Sequence, residues 1–183
     1  MTAGSFIAVV GPSGAGKDTL IEAALARRSD LLMARRVITR PPAPGTEDFE
    51  SVEESEFEAR RLAGGFALHW HAHGLYYGIP ASVDDDLAAG RHVLANLSRA
   101  VLVDAHKRFD SFFTIYVSAP ADVLAERLTA RGREAPKEIA QRLARNVADL
   151  PAGIDMRFVD NGGALEDGVA AFLAALPVQL ASA

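Results

Sequence analysis

Phe6-Ile7-Ala8-Val9-Val10-Gly11-Pro12-Ser13-Gly14-Ala15-Gly16-Lys17-Asp18-Thr19-Leu20 decides the fold of this 183-residue chain. Five apolar residues make a run of buried-strand length, a Gly/Pro/Ser cluster breaks it, and Leu20, Ala24 and Leu25 then recur at helical spacing. Strand, glycine-rich loop and helix in that order match the pattern G-x-x-x-x-G-K followed by Ser or Thr, except at its last position. Glycines let successive backbone N–H groups turn inward around phosphate oxygens, and the helix N-terminus adds the positive end of its dipole. Gly11, Pro12, Ser13, Gly14, Ala15, Gly16, Lys17, Asp18 and Thr19 are therefore candidates for holding a triphosphate, with Lys17 reaching the β- and γ-phosphates. The plainer alternative is a glycine-rich turn with no catalytic purpose.

Asp18 stands where Ser or Thr usually offers a hydroxyl to magnesium, and Thr19 follows it. Either Thr19 supplies the hydroxyl, or Asp18 holds the metal directly or through water. An acidic residue favoured by the helix dipole is the bland reading of Asp18.

Working outward, β-like runs recur at Met33 to Ile38, His92 to Asn96, Phe112 to Val117 and Met156 to Val159, several followed by helical stretches such as Pro120 to Ala130. Alternating strands and helices indicate an α/β layer fold with a mostly parallel sheet. Two segments break the rhythm. Arg40 to Pro80, rich in Pro, Gly and acidic residues at its start, reads as an inserted substrate-binding lobe. Ala130 to Ala140 is a polar stretch between two helices and reads as a lid.

Composition narrows the function classes. Hydrophobic residues make up 49% and charged residues 23%, enough for one domain with a sizeable core. A formal net charge of -5 leaves no overall positive field for nucleic acid or an anionic membrane, so any anion site is local. Cysteine is absent, which excludes disulfides, thiolate metal sites and cysteine nucleophiles together. No basic leader or long apolar span opens the sequence, so a cytoplasmic location is expected.

The segments GPSGAGKDT, VITRPPAPGTEDF, GLYYG, ERLTARGRE, QRLARN and VDNGG, in that order, resemble the guanylate kinase-like family of P-loop nucleotide kinases over almost the whole chain. The resemblance implies a five-stranded parallel core over 1–39 and 81–183, an acceptor-binding lobe over 40–80, and an arginine-bearing lid at about 130–140, all in a single domain. By the same resemblance, Arg40 and Tyr77 grip the acceptor phosphate, Arg131 is the lid arginine near the donor nucleotide, Arg142 bridges the donor and acceptor phosphates, and Asn161 lies near the donor nucleoside. Arg142 and Arg145 share a helix face beside the stripe of Ile139, Leu143, Val147 and Leu150, so surface ion pairing is their alternative.

Guanine readout looks dismantled. Leu68 or His69, Ile79 and Asn96-Leu97-Ser98 occupy the neighbourhoods where guanylate kinases place base-reading acids and serine, and Arg36 replaces a small serine ahead of the T-R pair. GPSGAGKD, the run Trp70 to Gly78, Asn96 to Ala100 and RGRE at Arg131 to Glu134 are similar to the branch of ribose 1,5-bisphosphate phosphokinases of phosphonate catabolism. That branch implies ATP as donor with Mg2+, ribose 1,5-bisphosphate as a phosphorylated-sugar acceptor, and 5-phosphoribosyl 1-diphosphate as product. A nucleoside monophosphate kinase and a non-catalytic binding module of the same fold are the rivals. His69, His71 and His73 alternate, a spacing compatible with metal ligation. His71 is the one expected to reach sugar hydroxyls or phosphate.

Overall fold

The computed structural model describes residues 3–41, 48–130 and 151–178. Its first strand, β1 (Phe6–Val10), is buried along its whole length. Phe6, Ala8 and Val10 face one apolar cluster while Ile7 and Val9 face another, so the strand is apolar at every position rather than at alternate ones. Helix α1 (Lys17–Arg27) follows the phosphate loop and turns Leu20, Ile21 and Ala24 into the second cluster.

The next apolar run serves two sheets. β2 (Leu31–Met33) pairs with the core strand β7 (His92–Asn96), and Ala34 N donates to the Leu94 carbonyl at 2.8 Å. The chain then leaves, and β3 (Arg36–Ile38) pairs in parallel with β4 (Phe49–Ser51) and antiparallel with a later strand. A run read from sequence as one strand over Met33 to Ile38 is thus divided at Ala34–Arg35. Helix α2 (Glu54–Leu62) comes next, followed by the hairpin of β5 (Phe66–Ala72) and β6 (Leu75–Pro80), which completes a four-stranded sheet in the order β4-β3-β6-β5. At the hairpin tip His73 has φ 54 and Gly74 φ 74, consecutive left-handed residues that suit the twist of a two-residue turn.

Helices α3 (Val83–Ala88) and α4 (Leu102–Arg108) flank β7, and β8 (Phe112–Ser118) leads into α5 (Ala121–Ala130). β9 (Met156–Asp160) and α6 (Leu165–Ala175) close the described chain. The larger sheet has the order β2-β7-β1-β8-β9 with every pair parallel, which is the five-stranded parallel core expected from sequence. Its first cluster takes in α4 and the inward residues Leu68, Trp70 and Ile79 of the smaller sheet, so the two sheets share a core. No helix among the described residues is long and apolar enough to cross a membrane.

The end of the sheet away from the phosphate loop is held by a buried polar group. Arg28 donates to both carboxylate oxygens of Asp30 and, at 2.6 Å, to the Pro177 carbonyl, while His92 Nδ1 accepts from Ser5 N at 2.9 Å. Burial holds the His92 imidazole below its ordinary pKa, with the Asp30 carboxylate opposing and the Arg28 guanidinium adding to the shift.

Candidate active site

The phosphate loop has positive φ at three glycines, Gly11, Gly14 and Gly16, and at two of them there is also no room for a Cβ. Gly11 has φ 146, and a Cβ there would lie 2.0 Å from the Val117 carbonyl of the neighbouring strand. Gly16, with φ 82, is the N-cap of α1, and a Cβ there would lie 2.5 Å from Asn161 Nδ2. No side chain caps α1. Its first N–H groups have no partner within the helix, and that is the donor set a phosphate takes. Lys17 Nζ folds back over the loop and donates to the Gly11 and Pro12 carbonyls at 3.0 Å each, which puts the ammonium at the rim where a triphosphate would lie.

Three contacts brace this loop from behind. Asn161, 3% exposed, donates Nδ2 to the Ala15 carbonyl at 2.8 Å. From α5, Arg127 donates Nη2 to the Asn161 carbonyl at 2.9 Å and Nη1 to the Gly14 carbonyl at 3.5 Å. With their carbonyls held outward, the loop's N–H groups keep their inward direction. The resemblance places Asn161 beside the donor nucleoside; the structure instead buries its side chain beneath the loop, between Gly16 and Gly168, where a Cβ on Gly168 would come within 2.2 Å of Oδ1. Arg127 carries no role in the sequence reading. The signal for it in the sequence is its place four residues before Arg131 in ERLTARGRE.

Facing the loop, the inner face of the small sheet gathers the acceptor candidates. Tyr77 stacks on Trp70 with ring centroids 5.2 Å apart, and the Arg36 guanidinium lies over the Tyr77 ring at 5.5 Å. Arg36 Nη1 also donates to the Asn96 carbonyl at 3.0 Å, and Asn96 Nδ2 donates to Asp18 Oδ1 at 3.2 Å. A continuous line of contacts thus runs from the small sheet to the first turn of α1. Arg40 lies apart from this line, stacked on Phe49 at 4.5 Å, and its buried Nε has no hydrogen-bond partner among the described residues. An unpaired guanidinium nitrogen of this kind is costly to bury and suits an anion that arrives with the substrate.

His71 is not brought to this face. Register pairs Trp70 with Tyr77 and His71 with Tyr76, so alternation sends His71 and His69 to the outer side, where His71 tilts against Tyr76 at 4.8 Å. His73 leaves the strand at the hairpin tip, so the three histidines do not share a face as their spacing suggests. No group of three or more metal-ligating side chains occurs among the described residues. Asp18 and Thr19 are both exposed on the first turn of α1. Arg131 and Arg142, together with the rest of the expected lid beyond Ala130, lie outside the described residues.

Two of the residues that stand at the guanine-reading neighbourhoods belong to the core. Leu68 is 7% exposed and Ile79 is fully buried, both packed into the shared core rather than turned to a ligand.

No protein-family model matches the sequence. Among curated proteins, the chain is 48% identical over 173 residues to ribose 1,5-bisphosphate phosphokinase PhnN of Brucella melitensis, covering 93% of this chain and 90% of that one. It is 51% identical over 152 residues to the protein of the same name from Acidiphilium cryptum, covering 81% of each. Among solved structures, guanylate kinase from Anaplasma phagocytophilum superposes with a TM-score of 0.68 at 18% identity, covering 94% of this chain and 84% of that one, and so shares the fold. With 48% identity over 93% of its length, the chain belongs to the ribose 1,5-bisphosphate phosphokinase family.

Proposed function

We propose that this protein transfers the γ-phosphoryl group of ATP to the 1-phosphate of ribose 1,5-bisphosphate, giving 5-phosphoribosyl 1-diphosphate and ADP. The observation that carries the reading is the inner face of the small sheet. There Arg36 is fixed between Tyr77 and the end of β7, and Leu68 and Ile79, at two of the three neighbourhoods that would read a guanine base, are core residues. A bisphosphorylated sugar asks for guanidinium groups and no base pocket, and a site lacking base-pairing partners gives a purine no advantage.

Each residue then has a part. The loop N–H groups from Gly11 to Thr19 and the Lys17 ammonium hold the donor's β- and γ-phosphates. Arg36, Arg40 and Tyr77 hold the acceptor's phosphates, and Arg131 and Arg142 supply charge to the transferring group. An oxygen of the acceptor's 1-phosphate forms the new bond to the γ-phosphorus as the bond to the β-bridging oxygen breaks. Because a phosphate monoester's second pKa is about 6, that oxygen is already ionised at neutral pH and no general base is needed. Catalysis is then positioning and electrostatic stabilisation.

Magnesium fits the donors present. It favours one or two carboxylates plus waters and substrate phosphates over an all-protein cage, and Asp18, exposed at the loop's end with Thr19 beside it, offers that set. Bound there, the ion would neutralise charge on the β- and γ-oxygens.

The test is an acceptor screen with ATP and product identification by mass. Ribose 1,5-bisphosphate is expected to be phosphorylated in preference to GMP and AMP, and efficient GMP turnover would overturn the assignment.

A further inference from the structure

In phosphate loops of this kind, a Ser or Thr hydroxyl after the lysine and an aspartate on a neighbouring strand hold the nucleotide's magnesium. Here the residue after Lys17 is an acid, and the neighbouring strand ends on an amide. β7 pairs in parallel with β1 in the register Val9 to Asn96, which sets Asn96 level with the last residues before the loop. The two side chains meet, with Asn96 Nδ2 donating to Asp18 Oδ1 at 3.2 Å. The other carboxylate oxygen of Asp18 takes no partner among the described residues. Asn96 also presents its backbone carbonyl to Arg36 Nη1 at 3.0 Å, so one strand end touches both the loop's acid and the small sheet's guanidinium.

The geometry points to an exchange of roles: the magnesium-side carboxylate has moved from the strand into the loop as Asp18, and Asn96 is the positioning residue that orients it. This rests on the magnesium-nucleotide reading given above. An amide is the partner the exchange requires. It donates an N–H to one carboxylate oxygen, adds no charge of its own, and leaves the second oxygen for the cation. An aspartate at 96 would set two carboxylates at hydrogen-bond distance and drive one to take up a proton. A threonine at 18 opposite Asn96 would leave the pair with no negative charge at all. One charge is kept, and its address has changed. Asn96 also ties that charge to the acceptor side, because any shift of the β7 end that moves its amide moves the carbonyl holding Arg36.

Calorimetric ATP binding with and without Mg2+, in the absence of any acceptor, tests this. The proteins are the wild type, Asp18→Thr, Asn96→Ala, Asn96→Asp and the double variant Asp18→Thr/Asn96→Asp. Asp18→Thr and Asn96→Ala are each expected to reduce the magnesium-dependent gain in ATP affinity by about tenfold, the usual cost of losing a cation ligand's support. The double variant, with the acid returned to the strand, is expected to recover most of the gain lost by Asp18→Thr. An unchanged gain in Asp18→Thr and Asn96→Ala overturns the exchange, and so does a double variant no better than Asp18→Thr alone. Asn96→Ala removes only the amide and keeps the carbonyl used by Arg36, so it reads the pair even if the double variant folds poorly. A wrong acceptor shows in the acceptor screen and leaves this cycle intact, whereas absence of ATP binding by the wild type overturns both.

Discussion

The side-chain amide of Asn161 and the carbonyl of Ala15 meet across 2.8 Å, joining the turn after β9 to a loop 146 positions earlier in the chain. This contact is inside the protein, so its role is to hold the phosphate loop's shape. Asn161→Ala strands a buried carbonyl and is expected to cost about 1–3 kcal/mol of stability. Denaturant unfolding reads that cost. Steady-state kinetics should show KM for ATP rising while KM for the acceptor stays put, and equal effects on both would refute a role confined to the donor loop.

Gly16→Ala attacks the same contact from the other side. Left-handed backbone at φ 82 costs a residue with a Cβ about 1–2 kcal/mol, and the added methyl must also displace the Asn161 amide. ATP affinity measured by calorimetry is expected to fall further than stability does. A variant that binds ATP normally would show that the loop tolerates the displacement.

Lys17→Ala should lower kcat by about a hundredfold or more, in the range of losing one preorganised transition-state donor. Its half-buried ammonium bonds only carbonyls of its own loop in the contacts described above, so the melting temperature is expected to stay near that of the wild type. Retained turnover would remove Lys17 from the machinery.

Arg36→Lys separates charge from geometry on the acceptor side. A lysine keeps the positive charge but loses the planar contact with Tyr77 and the fork that reaches Asn96. KM for the acceptor is expected to rise about tenfold with ATP binding unchanged, on the scale of one charge-assisted contact. Initial-rate kinetics with each substrate varied in turn would reveal any different division.

Stability should depend on pH through His92. Its folded pKa lies below the ordinary value near 6.5, so the unfolded chain binds more protons on acidification. Stability is therefore complete above about pH 6.5 and is lost as pH falls from there through the folded pKa. Asn in its place can still accept the Ser5 N–H and does not titrate. Urea unfolding between pH 7.5 and 5 should show a shallower slope for His92→Asn, and parallel curves for the two proteins would assign the acid sensitivity elsewhere.

Much of the fold was legible because β1 is buried on both faces: Phe6 to Val10 and the glycines after it read as strand, loop and helix, the alternating runs beyond them gave a mostly parallel sheet, and the resemblance supplied its five strands. The division at Ala34–Arg35 was not legible. Strand propensity is a property of single residues, and Met33 to Ile38 carry it throughout, while the change of partner from β7 to β4 and β6 is recorded only in space. The histidines failed for a related reason. Their spacing gives a common face only if the strand continues, and the turn at His73-Gly74 ends it. In the site, Gly11 to Asp18 could be read locally, since the loop's chemistry is contiguous. Arg127 and Asn161, 34 positions apart, could not, because neither residue announces that it will meet the other behind the loop.

The strand that changes sheets also sets the terms on which this protein could be recombined with other kinases. A cassette excised at residue 40 would leave Arg36–Ile38 behind and strip the transplanted sheet of the strand lying between β4 and β6. The natural seams are Ala34–Arg35, where one ladder has ended and the next has not begun, and the junction after Pro80. A graft cut there carries its own four strands, its aromatic pair and Arg36 as one unit, and leaves Asn96 behind, so the recipient's own strand end must supply the carbonyl that holds Arg36.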